Sequence, residues 1–215
     1  MIRFQHNIAV CLVAAALFPG ATAYAGESAS QVKQRIGSGD TVAGNAESSL
    51  CQGCHGVDGI SFVELIPNLA GQDAPYIVKQ LRDFQSGART HQIMSAISNS
   101  VSETEMADIA AYFASRKIMQ GDRSGDNPVA KKLFLKGDPV RGITPCMSCH
   151  GANGKTPRIA SYPVIGGQHK EYLRVQLIHW RNGDRSNSPD GVMNKAAKSL
   201  TDAEIESLSG FLSGL

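Results

Sequence analysis

Apolar positions in this chain recur at helical spacing. Tyr76, Ile77, Leu81 and Phe84 fall on one helical face, and Gly87 is placed to end that helix. Tyr172, Leu173, Leu177 and Trp180 repeat the face ahead of Gly183. A second stripe, Met106, Ile109 and Phe113, has its twin in Ile205, Leu208 and Phe211 or Leu212. Each of these is preceded by a hydroxyl residue with glutamate three positions later, Ser102 with Glu105 and Thr201 with Glu204, the signature of a reciprocal helix cap. No segment shows a convincing alternation of period two, as a half-buried strand would. The pattern predicts an all-α protein whose terminal helices pack on a core.

The twinned stripes belong to a longer self-similarity. "GDTVAG" at 39–44 matches "GDPVRG" at 137–142, and "IPNLAGQ" at 66–72 matches "YPVIGGQ" at 162–168. Tyr76, Gln80, Leu81, Phe84, Gly87 and Arg89 return in order as Tyr172, Gln176, Leu177, Trp180, Gly183 and Arg185. The chain is expected to be a tandem duplication. The stretch "QGDRSGDNP" at 120–128 reads as an exposed connection. The expected divisions are 1–25, 26–120, a linker at 121–128, and 129–215.

Residues 1–25 read as a secretory signal. They hold Arg3, an apolar run from about Ile8 to Phe18, and the small-residue pattern Ala23-Tyr24-Ala25, so cleavage is expected before Gly26. The run is too short to span a bilayer and nothing later is long or apolar enough, so a soluble periplasmic protein is expected, with no transmembrane segment after processing. Val10 is large for the position before a lipidated cysteine, which argues against an anchor at Cys11. Cys11 therefore leaves with the signal, and no thiol is left over for a disulfide framework. A formal net charge of +2 gives no reason to expect nucleic acid. The distribution is less even: residues 26–120 hold 7 basic and 10 acidic side chains, residues 121–215 hold 13 and 9. The molecule should be electrically polarised.

The four remaining cysteines lie in "CQGCH" at 51–55 and "CMSCH" at 146–150. Cys-x-x-Cys-His is the attachment signature of a c-type haem. Cysteines three apart on a helical turn, Cys51 with Cys54 and Cys146 with Cys149, can form thioethers to the two vinyl groups on one porphyrin edge. His55 and His150 then project over the ring centre as iron ligands. Structural zinc or a thioredoxin-like dithiol would use the cysteines, but neither explains a histidine directly after both pairs. For the sixth iron position, Met94 follows His55 by 39 residues and Met193 follows His150 by 43, each seven residues before an apolar position and then the capping signature. A single methionine is usually core filler, whereas two at matched places point to ligands. Met106 aligns with Ile205 and reads as core, Met119 sits at the linker, and Met147 lies between the haem cysteines. His91, His169 and His179 align with or near aspartates and read as surface residues. Thioether sulfur favours ferrous iron, so His/Met ligation raises the reduction potential, and a saturated iron has no vacancy for a substrate.

In these residues the chain resembles the cytochrome c4 family, two-haem electron carriers built from two class I cytochrome c domains. The resemblance covers both motifs, both proline and "GQ" segments, both methionine loops and both terminal helices. It implies two covalent haem c groups per chain. It also implies that a proline carbonyl, of Pro67 for His55 and Pro163 for His150, accepts the histidine ring N–H. Arg89 and Arg185, with Tyr76, Tyr172 and Trp180, are candidates to contact haem propionates, since buried carboxylates need donors; the alternative is that the aromatics are core and the arginines solvated. The second methionine loop is longer, "RSNSPDGVM" against "RTHQIM", which suggests unequal potentials. The expectation is a monomer that carries electrons and is not an enzyme, since both irons would be six-coordinate; it would take electrons from a quinol-oxidising membrane complex, and the resemblance implies a haem-copper oxidase as acceptor. The rival readings are a dihaem peroxidase, a thiosulfate-oxidising cytochrome, or a cytochrome subunit of a periplasmic dehydrogenase.

Overall fold

The computed structural model describes residues 35–157 and 161–215. The segment read as a signal, residues 1–25 with Cys11, lies outside the described residues. The first copy opens with a short antiparallel pair, β1 (Arg35–Ile36) and β2 (Gly39–Asp40), followed by α1 (Thr41–Glu47), α2 (Ser49–His55), α3 (Ala74–Ser86), α4 (Gln92–Ser98) and α5 (Glu103–Ser115). The second has α6 (Pro128–Lys136), α7 (Met147–His150), α8 (Lys170–Asn182), α9 (Val192–Ala197) and α10 (Asp202–Ser213), with 3-10 turns at Pro139–Arg141 and Pro189–Gly191. The all-α architecture is as the periodicity predicts.

Helix ends fall where the local chemistry places them. Asp73 accepts the Tyr76 N–H to open α3, Pro75 fills its first turn, and Gly87 closes it at φ 77°. Gly183 closes α8 in the same left-handed way. Both capping boxes form: the side chains of Ser102 and Thr201 accept from the amides of Glu105 and Glu204, whose carboxylates accept in return.

Each copy has its own hydrophobic core. In the first, Met106, Ile109, Tyr112 and Phe113 of α5 meet Ile77 and Leu81 of α3. In the second, Ile205, Leu208, Phe211 and Leu212 of α10 meet Leu133 and Phe134 of α6 and Leu173 and Trp180 of α8. Phe113, Phe134 and Met106 are fully buried, and truncating such an aromatic would cost about 3–5 kcal/mol. The first copy's helices α1 and α5 cross at Gly44, where a Cβ would stand 1.9 Å from the Asp108 carbonyl oxygen. No residue with a side chain fits there without parting the helices.

Two details depart from the sequence reading. "GDTVAG" and "GDPVRG" are not structural equivalents, although Asp40 and Asp138 each cap the turn that begins beside them. The first opens helix α1, whereas the second forms a 3-10 turn after α6, closed by a bridge between Asp138 and Ile143. The linker carries exposed side chains, but its backbone lies against α10: the Arg123 amide donates to the Gly214 carbonyl at 3.0 Å, and a Cβ on Gly125 would meet the Gly210 carbonyl oxygen at 2.1 Å.

The two copies bind one another through their repeated "GQ" segments. Gln72 accepts from the Val164 amide at 2.7 Å and donates to its carbonyl at 2.9 Å. Gln168 accepts from the Asn68 amide at 2.8 Å and donates to its carbonyl at 2.9 Å. Both glutamines are buried.

Candidate functional site

Each Cys-x-x-Cys-His motif ends a short helix, α2 or α7, and the chain then turns through a glycine with positive φ, Gly56 or Gly151. This turn buries the histidine and sends the chain back beneath it. His55 Nδ1 lies 2.8 Å from the Pro67 carbonyl oxygen, and His150 Nδ1 lies 2.9 Å from that of Pro163. A carbonyl only accepts, so each ring proton sits on Nδ1 and Nε2 keeps a lone pair. Burial pushes both imidazoles below their ordinary pKa, although the carbonyl bond works the other way. Neutral, oriented imidazole with its far nitrogen available is what a metal ligand requires.

The cysteines are not paired with one another. Burial raises the Cys51 thiol and pushes Cys146 up to about 11. Cys51 and Met94 both border the first core, and Cys146 and Met193 both border the second. Each copy thus brings its motif and its candidate methionine to one hydrophobic centre. Met94 lies in α4, whose N-terminus is capped by His91 through Nδ1, accepting the Met94 amide at 3.3 Å. His91 is exposed, as its alignment implies, but it is more than a surface residue, because it caps the helix that carries Met94. Met106 is core, as its alignment implies.

Arg89 and Arg185 meet between the copies. Arg89 donates to Gln80, to the Tyr172 hydroxyl at 3.1 Å and to Gln176 at 3.0 Å; Arg185 donates to Gln176, to the Tyr76 hydroxyl at 3.2 Å and to Gln80 at 2.9 Å. Arg89 stacks over Phe84 and Arg185 over Trp180. The neutral partners satisfy hydrogen bonds without balancing charge. Burial alone would raise the Tyr172 phenol, but the two guanidiniums hold it below its usual pKa. Asp83 approaches this cluster through Asn187.

The methionine loops differ as their lengths suggest. Asn187 of the longer loop donates to Gln80 and Asp83 of α3, and Lys79 donates to its carbonyl at 2.7 Å. His169, a surface residue by its alignment, instead bonds the Ser61 carbonyl across the interface at 3.1 Å. Sequence reasoning missed Gln72, Gln168, Asn187 and His169 as interface residues; the repetition of "GQ" was the available signal for the first two.

Comparison with known proteins agrees with the tandem organisation. The family model described as Cytochrome c matches residues 39–117 and again 131–215. A cytochrome c4 of Pseudomonas aeruginosa is 38% identical over 180 residues, covering 82% of this chain and 89% of that one. The crystal structure of reduced recombinant cytochrome c4 from Pseudomonas stutzeri superposes with a TM-score of 0.76 at 35% identity, over 82% of this chain and 99% of that one. The chain belongs to the cytochrome c4 family. A relative from Stutzerimonas stutzeri, described as a thiosulfate dehydrogenase electron acceptor, is 35% identical over 80% of this chain and 81% of its own.

Membership makes this an electron-transfer protein with two covalently bound haem c groups. The residues present fit that group: unpaired thiols three apart, an imidazole held by Nδ1 in each copy, and two guanidiniums between the copies that donate to neutral glutamine and tyrosine side chains. No helix among the described residues is long and apolar enough to cross a membrane.

Proposed function

We propose that the chain is a periplasmic carrier of single electrons between a quinol-oxidising membrane complex and a haem-copper oxidase. When bound, haem c supplies a one-electron ferric/ferrous couple. Cys51 and Cys54, and Cys146 and Cys149, tether the two groups. His55 with Met94, and His150 with Met193, would supply the protein ligands of the two irons. Pro67 and Pro163 fix the histidine rings through their carbonyls, and Arg89 and Arg185 neutralise propionates between the copies. The observation that carries the reading is the matched pair of buried, Nδ1-tethered histidines, each in a copy whose core is bordered by the one methionine that the repeat places equivalently.

Two protein ligands per iron would leave no position for peroxide or thiosulfate, which favours transfer over turnover. The relative described as a thiosulfate dehydrogenase electron acceptor supports a second reading, in which a separate sulfur-oxidising enzyme is the donor. Mixing the oxidised protein with a reduced quinol-oxidising complex, and the reduced protein with membranes containing the oxidase, tests the first. Rapid transfer in both steps is expected. Reduction only by a thiosulfate dehydrogenase would replace that donor, and turnover of thiosulfate or peroxide by the protein alone would overturn the carrier reading.

A further inference from the structure

The two interdomain glutamines act on the peptide groups that orient the histidines. The Pro67 carbonyl, which accepts from His55, belongs to the same peptide group as the Asn68 amide, which donates to Gln168 Oε1. The Pro163 carbonyl, which accepts from His150, likewise shares its peptide group with the Val164 amide, which donates to Gln72 Oε1. Each chain of bonds runs from a ring in one domain, through one peptide unit, to a glutamine of the other. All four distances lie between 2.7 and 2.9 Å, and both glutamines are about as buried as core residues, at 3% and 4% exposure.

We propose that Gln168 tunes the first haem and Gln72 the second, each acting across the domain interface as a positioning residue. This rests on His55 and His150 being the iron ligands. A peptide whose N–H is donated to an acceptor carries more negative charge on its carbonyl oxygen, because successive hydrogen bonds polarise one another. A more negative carbonyl pulls harder on the Nδ1 proton and makes the imidazole a more basic ligand. A more basic ligand stabilises ferric iron, so each glutamine lowers the potential of the haem in the opposite domain. The second bond of each glutamine, from Nε2 to the Asn68 or Val164 carbonyl, locks its amide in the orientation that presents Oε1. Domain docking and haem potential are therefore linked, with each domain completing the histidine support of the other.

The test uses the full-length holoprotein. Labelling histidine with nitrogen-15 first checks the underlying reading: two iron-shifted imidazole signals, lost one each on replacing His55 or His150, are expected. Their absence overturns the ligand assignment, independently of the glutamines. The variants Gln168→Met and Gln72→Met then remove both bonds at nearly constant volume. Gln168→Met should raise the first haem's potential and Gln72→Met the second's. Each should change its ferrous-to-ferric ratio by about threefold, or about 30 mV for a one-electron couple, and leave the other haem nearly unmoved.

Loosened packing around the Pro67–Asn68 or Pro163–Val164 peptide would fall on the same haem, so the sign of the shift, and not its place, separates polarisation from packing. A further variant, Gln168→Glu, keeps and strengthens the acceptor while losing the donor. Measured above the pKa of the new carboxyl, it should move the first haem downward. With two iron-shifted histidines present, equal shifts of both haems in every variant, shifts in the same sign for Met and Glu, or unchanged potentials would each overturn the proposal.

Discussion

Met94 and Met193 are the positions at which a single substitution is most informative. Sulfur at the sixth position holds iron in its ferrous state, whereas imidazole nitrogen favours ferric. Met94→His should lower the potential of the first haem and leave the second in place, and Met193→His should do the reverse, as read by a redox titration that resolves both. Two unchanged titrations would remove the methionine assignment. The motif and the histidines were legible because their spacing is itself the chemistry. The role of His91 was not: its ring caps the helix that bears Met94, and that depends on a backbone turn an alignment against aspartate cannot reveal.

Among the helices, the best-specified end is the start of α10. Glu204 closes its capping box with Thr201 and also receives Arg141, which holds its carboxyl down to about 2 from an ordinary 4.5. A depressed folded-state pKa contributes stability that is fully present above pH 4.5 and lost as pH falls through about 2. Glu204→Gln should therefore lower the melting temperature at neutral pH, and the gap to the native protein should close on acidification across that window. A gap that stays constant or widens would contradict the assigned pairing. Both capping boxes and both glycine stops were readable from sequence, since each involves residues within a turn of one another. "GDPVRG" was misplaced for the complementary reason. Asp138 and Asp40 do the same local capping, but Gly142 ends its turn in the left-handed region, whereas Gly44 stays inside a helix pressed against α5.

Across the full chain, the duplication was legible because it is repeated in the letters, but the contact between the copies was not. Gln72 with Val164 and Gln168 with Asn68 join positions 92 and 100 residues apart, and nothing short-range selects those pairs. The sequence did show a charge difference between the halves, −3 over 26–120 and +4 over 121–215 before haem propionates are counted. Such an asymmetry steers partners toward one end, and steering is screened over about 8–10 Å at ordinary salt. Electron transfer to the proposed oxidase acceptor should therefore change with ionic strength; rates that stay flat would remove the steering.

Irons held on both sides by protein atoms are suited to pass electrons and little else. Carbon monoxide, which needs a vacant iron position, reports directly on whether they are so held. Uptake by the freshly purified, reduced native protein, followed in the visible spectrum, should show no rapid binding at either haem, with Met94→Ala and Met193→Ala each opening one. Immediate, stoichiometric uptake by the native protein at either haem would contradict two-sided ligation and, with it, the carrier role.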